Sequence, residues 1–285
     1  MNVQIDLHTH STASDGTESP RDVVASARAA GLDVLALTDH DTTSGWQEAT
    51  EAALRGGVSL VRGIEISCQR NGTSIHLLGY LTDPDHPGLS VELARARDGR
   101  VRRLERMVEL MAADGIPVTY AEVLAQVPRG ATKGRPHIAD ALVHNGAVAN
   151  RDEAFAQWLS NDSPYYVSHY APDPVAAVQL VVEAGGVAVH AHPFTSTRGR
   201  TISDALIEEM AAAGLGGVEV DHRDHDAAAR ARGRALAARL DLLVTGSSDY
   251  HGGGKENRLG ENTTAPEVLE EIEARSSGVT PVVWA

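Results

Sequence analysis

Residues 3 to 16 read VQIDLHTHSTASDG. Val3, Ile5 and Leu7 alternate with polar neighbours, as in a short strand, and His8, His10 and Asp15 follow at once. An H-x-H spacing puts both imidazoles on one face of an extended chain, because strand side chains repeat every second residue. Adjacent imidazoles repel when both are protonated, so a shared metal ion is their natural partner. The same residue types recur along the chain: Asp39 and His40 in LTDHD, Glu65 in GIEIS, His76 in SIHLLGY, His190 and His192 in VHAHP, and Asp249 and His251 in GSSDYH.

Imidazole with carboxylate and no thiolate suits Zn, Mn or Fe rather than a Cys-rich structural site. So many candidates exceed what one ion holds, which points to two or three divalent ions, with a carboxylate such as Glu65 able to bridge two. Ions about 3.5–4 Å apart clamp the attacking and leaving oxygens of a phosphoryl displacement and acidify water near neutral pH. Against this stands the ordinary reading that a strand-end His is packed or hydrogen-bonded in the core. That reading suits any one of them but not all, since each unpaired buried polar group costs about 1–3 kcal/mol. His190 is either a ligand or a residue that orients one. Asp39 and Asp41 are either ligands or helix caps.

Something must bring these residues together. Seven short apolar segments, VQIDLHTH, DVLALTDH, VSLVRGIEIS, SIHLLGY, GVAVHAHP, GVEVDH and LLVTGSSDYH, read as buried strands. Helical stretches separate them. The first has Ser19 to cap, Pro20 to open and Gly31 to stop; the second is closed by Gly56 and Gly57; others span 174–184, 202–213, 227–239 and 266–274. Such alternation predicts parallel strands with crossover helices, closed into a barrel whose mouth gathers the strand ends. From Leu89 to Tyr170 the rhythm breaks. A long Arg-rich helix carries an apolar stripe of Val101, Leu104, Val108 and Met111, and shorter helical pieces follow near Ala121, Ile138 and Glu153. The expected organisation is therefore a barrel of residues 1–88 and 171–285, with an inserted helical subdomain at 89–170.

Composition narrows the class. A net charge of −14 opposes a general electrostatic grip on nucleic acid, so no stable long nucleic-acid partner is expected. No apolar run reaches the ~20 residues of a membrane helix. There is no basic leader ahead of an apolar stretch, and Cys68, the single cysteine, cannot form an intrachain disulfide, so a reducing cytoplasm is expected.

The segments DLHTHSTASDG, LTDHD, GIEIS, AHP and SSDYHG resemble, in content and order, the motifs of the PHP (polymerase and histidinol phosphatase) family. The resemblance implies an α/β fold, a distorted (β/α)7 TIM-like barrel, with a trinuclear metal site. It implies that His8, His10, Glu65 and Asp249 hold one ion, that Glu65, His76 and His192 hold a second with Glu65 bridging, and that Asp15, His40 and His251 hold a third. TKGRPHIADAL, LGENTTAPEVLEEI and the insertion are similar to a subgroup of nucleoside 3′,5′-bisphosphate phosphatases and 5′-to-3′ exoribonucleases. The implied activity is metal-dependent hydrolysis of a nucleotide or short oligoribonucleotide. The alternatives are a histidinol phosphate phosphatase, an amide hydrolase with a similar barrel mouth, and a non-enzymatic metal-binding accessory module.

In GRPHIA, Pro136 suits a helix start, which sets Arg135 and His137 at an N-terminus that favours anions. Arg135 either forks onto a phosphate or pairs with a surface acid, and His137 either contacts substrate or packs inside. Lys133, Arg198 and Arg200 are further basic candidates. The run Arg95 to Arg106 is a guide for a nucleic-acid tail or a solvated helix face. His222 and His225 either rim the site or protonate a leaving group.

Overall fold

The computed structural model describes residues 3–195 and 202–285. Seven strands form one sheet in chain order: β1 (Ile5–Thr9), β2 (Val34–Leu37), β3 (Ser59–Arg70), β4 (Thr73–Tyr80), β5 (Val187–His190), β6 (Gly217–Asp221) and β7 (Leu243–Gly246). The sheet curls until its edges meet. Thr9 bridges Tyr250 just past β7, and the His10 N–H donates to the Tyr250 carbonyl at 2.8 Å. The fold is the distorted seven-stranded barrel.

The strands are not all parallel, which corrects the expectation above. β4 runs antiparallel to both β3 and β5. The reason is local: Asn71 and Gly72, at φ 51° and 77°, make a two-residue turn between β3 and β4. A parallel return needs a crossover of a dozen or more residues. His76 therefore does not lie at a strand's C-terminal end. It sits inside β4, and the reversed direction still brings it to the mouth, paired in register with Ser67 of β3.

The expected helices form with small changes at their ends: α1 (Pro20–Ala29), α2 (Trp46–Gly56), α7 (Pro174–Glu183), α8 (Asp204–Ala212), α9 (Ala227–Leu240) and α10 (Pro266–Arg275). Ser19 caps α1 by accepting the Asp22 N–H at 3.2 Å. Apolar residues of β1, β2, β3, β4 and β5, among them Ile5, Leu7, Val34, Val61 and Val189, pack with Leu269 and Ile272 of α10.

Between β4 and β5 lie α3 (Pro87–Ala113), α4 (Tyr120–Ala125), α5 (Arg135–His144) and α6 (Arg151–Ala154), followed by a wider π turn over Phe155–Leu159. Their apolar faces meet in a separate cluster built on Leu104, Met107, Met111, Ile138 and Leu142. Of the predicted stripe, Leu104, Val108 and Met111 are buried and Val101 only half-buried. Gly99 lets α3 lie close to the chain at Tyr170, since a Cβ there would stand 3.1 Å from the Tyr170 carbonyl oxygen. The Arg-rich run is not wholly a solvated face. Arg95, Arg102 and Arg106 are exposed, but Arg100 and Arg103 are only 8% exposed. They share a helix face with Leu104 and Met107, so burying that stripe buries them too.

Candidate metal centre

The first group forms where β1 ends. His8 and His10 point the same way, with their Nε2 atoms 3.1 Å apart. Glu65 Oε2 lies 3.3 and 3.1 Å from these nitrogens, and Asp249 Oδ1 lies 3.6 and 3.5 Å from them. Four tetrahedral donors at ~2.0–2.2 Å from one cation stand about 3.4 Å from each other. The observed spacings match that figure, and they make poor sense for two facing imidazole nitrogens left without a cation.

Glu65 presents its other oxygen to a second group. Oε1 is 2.7 Å from His76 Nδ1 and 3.1 Å from His192 Nε2. The carboxylate thus faces two sets of nitrogens with two different oxygens, as a bridge between two cations would. The third group surrounds Asp15. His251 Nε2 is 3.4 Å from Oδ1, and His40 Nε2 is 3.7 Å from Oδ2. His40 Nδ1 is 3.1 Å from Glu65 Oε2 but lacks hydrogen-bonding alignment, so it is a buried nitrogen without a hydrogen bond. The nine positions implied by the resemblance converge at one mouth.

The charges have the sense that cation binding requires. Burial opposes a charge on His8, but Glu65, Glu219 and Asp249 outweigh it and hold the imidazole well above its ordinary pKa. Burial is likewise outweighed at His10, which Asp249 and Glu65 raise to about 9. Glu65 is held well below the usual carboxylate range, burial being overcome by His40, His76 and His8. Cations would compete with protons for these nitrogens, so metal binding is expected to depend on pH. Two of the residues are strained into place: His192 and Asp249 have φ of 30° and 54°, unusual for side chains of their kind and found mostly where a site demands it.

Sequence reading missed Glu219. It is fully buried in β6, with Oε1 3.2 Å from His8 Nδ1, and Oε2 accepts the His192 N–H at 2.8 Å. Ser247 also donates to it. A single acid between valines in a strand was the available signal. Asp39 and Asp41 belong to none of the ligand groups. Asp39 accepts from Ser11 and Ser14, and Asp41 from Ser67 and Arg100. Lys255, also missed, stands 3.0 Å from Asp249 Oδ2.

Above the groups opens a cavity of about 510 Å³, with Asp15, His40, His76, His192 and His251 on one side. The insertion supplies the other side through Arg100, Arg103, Arg135, Phe155, Tyr166 and His169. Arg135 donates to the Leu159 carbonyl at 2.6 Å and to Asn161 Oδ1 at 2.8 Å, and lies over the Phe155 and Tyr166 rings. The Nε and Nη2 of Arg103 are buried with no hydrogen-bond partner, as is His169 Nε2. Burial, with Arg135 and Arg100 nearby, lowers the Arg103 pKa to about 9.

Other candidates are placed elsewhere. His137 is 2% exposed, off the cavity wall, and its Nδ1 accepts the Gly134 N–H at 3.1 Å. A histidine in the first turn of α5 turns back to satisfy the helix start rather than face substrate. Lys133 also lies off the wall, with its carbonyl accepting from Arg100. His222 is fully buried beneath Asp249, with Nε2 3.6 Å from Oδ2. Both ring nitrogens of His225 are committed to backbone, one near the Val220 carbonyl and the other to the Phe194 N–H. His190 lines the cavity but joins none of the ligand groups. Arg198 and Arg200 lie outside the described residues.

Known proteins show the same architecture. The PHP domain model matches residues 6–143. The 3′,5′-nucleoside bisphosphate phosphatase of Chromobacterium violaceum is 36% identical over 95% of this chain and 97% of its own. The chain belongs to the PHP domain family. A relative from Haemophilus influenzae, a 5′-3′ exoribonuclease, is 34% identical over 88% of this chain and 91% of its own. A solved structure from Bifidobacterium adolescentis, described as a candidate metal-dependent phosphoesterase, superposes with a TM-score of 0.94 at 44% identity, covering 97% of this chain and 98% of that one. The class expected from the sequence, a phosphoric ester hydrolase, holds for this PHP chain, and the buried His, Asp and Glu groups fit divalent cations. Among the described residues no helix is long and apolar enough to cross a membrane.

Proposed function

We propose that the chain hydrolyses nucleotide phosphate esters, removing the 3′ phosphate of a nucleoside 3′,5′-bisphosphate or shortening 5′-phosphorylated RNA. The observation that carries this reading is the cavity's two-sided chemistry. One side is the His and carboxylate cluster; the other holds Arg103, whose buried Nε and Nη2 have no hydrogen-bond partner. A buried cation of that kind calls for an anion. We assign the terminal 5′ phosphate to Arg103, Arg135 and His169, with Phe155 and Tyr166 offering faces to the base, and the scissile ester to the cluster. Residues 89–170 then act as a substrate-capping subdomain.

Two or three divalent ions, of Mn, Fe or Zn, would be held by the three groups described, and when bound they would polarise a phosphoryl oxygen and acidify a water. Around them the chain's own groups do the positioning. Glu219 holds His8 by Nδ1, which keeps Nε2 turned toward Glu65 and Asp249. Lys255 adds positive charge at the edge of the cavity, where negative charge builds on the phosphoryl oxygens. The pocket arginines hold the distant phosphate, so binding energy there orients the reacting ester.

The test is phosphate release from adenosine 3′,5′-bisphosphate by the Mn-loaded chain, beside 3′-AMP and histidinol phosphate at equal concentration. The reading expects the bisphosphate to be turned over best. Faster turnover of histidinol phosphate, or none of any nucleotide, would remove it.

A further inference from the structure

Asp41 follows the cluster residue His40 and has no place in any ligand group, yet it is fully buried and used at nearly every atom. Its backbone φ is 54°. Its N–H donates to the Glu65 carbonyl at 3.0 Å, in the ladder where His40 bridges Glu65. Its Oδ1 accepts the Ser67 N–H at 2.8 Å, and its Oδ2 accepts the Ser67 hydroxyl at 2.9 Å. All of this belongs to the barrel. The remaining contacts come from the insertion. Arg100 Nε donates to Oδ2 at 2.7 Å, Arg97 Nη1 donates to the Asp41 carbonyl at 2.6 Å, and Arg100 Nη2 reaches Ser67 Oγ at 2.6 Å.

We propose that Asp41 is a positioning residue that locks the roll of α3 to the His40–Glu65 ladder, so that the cavity's arginines and the cation cluster hold each other in place. The geometry of α3 explains the reach. Arg100 and Arg103 are three residues apart and lie on one helix face. Fixing Arg100 on Asp41 therefore fixes the direction of Arg103, which has no hydrogen-bond partner of its own for Nε and Nη2. The same link runs the other way. The Asp41 backbone is held in a left-handed conformation by its partners on both sides, and His40 is its chain neighbour. Loss of the Arg97 and Arg100 contacts frees the segment that aims His40 at Asp15 and Glu65. The inference rests on reading the cluster as a cation site.

The test is calorimetric titration of the metal-stripped full chain with Mn²⁺ alone, which needs no substrate and no turnover. Arg100 places a fixed positive charge on Asp41, the chain neighbour of His40. If Arg100 acted only by its charge, Arg100→Met would tighten Mn²⁺ binding. The positioning role predicts the opposite, at least tenfold weaker binding at the weakest resolved site. The double variant Asp41→Asn with Arg100→Met leaves the local charge unchanged and is expected to lose at least tenfold as well. Ser67→Ala, which changes no charge, should shift affinity in the same direction by less, and it decides the matter with Arg100→Met if the double variant does not fold. Wild-type affinity in Arg100→Met and Ser67→Ala, or tightening in Arg100→Met, overturns the role of Asp41. A wild-type chain that takes up no Mn²⁺ defeats the cation reading itself, and the proposal with it.

Discussion

His8 Nδ1 lies 3.2 Å from Glu219 Oε1, on the opposite side of the ring from the nitrogen that faces Glu65 and Asp249. The two residues are 211 positions apart, yet their contact decides which imidazole lone pair faces the cluster. A carboxylate behind a ligating His fixes its tautomer and raises its basicity, and such partners are worth about 10–100-fold in metal affinity. Glu219→Gln is therefore expected to stay folded and to bind Mn²⁺ about 10–100-fold more weakly, as read by competition with a chelator. Unchanged affinity would mean that Glu219 serves the fold alone.

Glu65 and His190 make a contrasting pair. Glu65 faces five imidazoles, those of His8, His10, His40, His76 and His192. His190 is buried nearby, but its Nδ1 has no partner and it joins none of the three groups. Glu65→Gln should lower the bound metal per chain and cut phosphate release by several orders of magnitude. His190→Gln should keep the wild-type metal content, with at most about a tenfold loss of activity. Elemental analysis of the two purified variants checks both, and loss of an ion from His190→Gln would move that residue into the ligand set.

The clustering of the strand-end His and carboxylate side chains was legible because each sits in a short motif beside an apolar run, so that the barrel had only to bring the motifs together. What depended on partners far along the chain was not. Glu219 stands alone between valines, and nothing near it in sequence announces His8. The antiparallel β4 was marked by Asn71–Gly72, but burial on both faces made β3 and β4 look like parallel core strands. Arg103 read as part of a solvated run, because its direction depends on how α3 rolls against Asp41. His137 shows the reverse error. Its place at a helix start suggested an anion site, while the nearer unsatisfied group was the Gly134 N–H.

Arg103 carries two opposing predictions. As a buried cation without hydrogen-bond partners at Nε and Nη2, compensated in the empty protein by the Tyr166 ring and His169 Nδ1 rather than by an acid, it is unfavourable until an anion binds. Arg103→Met should give a ligand-free melting temperature equal to or above that of the wild type. A hydrogen bond to a charged group is worth about 1.5–3 kcal/mol, so KM for a 5′-phosphorylated substrate should rise roughly 10–100-fold. KM for a substrate lacking that phosphate should barely change. Thermal melts and paired kinetics on adenosine 3′,5′-bisphosphate and 3′-AMP measure both sides. An equal loss on the two substrates would place the terminal phosphate elsewhere.

His169 sets the acid limit of the same pocket. Burial and the neighbouring Arg100, Arg103 and Arg135 push its pKa down to about 3. A histidine with a folded pKa below its unfolded value of about 6.5 binds fewer protons folded than unfolded between those two values. Its contribution is thus fully present above about pH 6.5 and is lost as pH falls toward about 3. At pH 4.5 the loss, trimmed by partial exposure to water, is on the order of 1–2 kcal/mol. His169→Gln removes the group that must stay uncharged, so between pH 7 and pH 4.5 its urea midpoint should fall less than that of the wild type. An occupied pocket should act in the same direction, because a bound phosphate offsets the arginines that disfavour the imidazolium. Urea titrations of wild type and variant at the two pH values, with and without AMP, would show it. Parallel pH profiles for the two proteins would mean that His169 is already solvated and takes no part in the pocket's electrostatics.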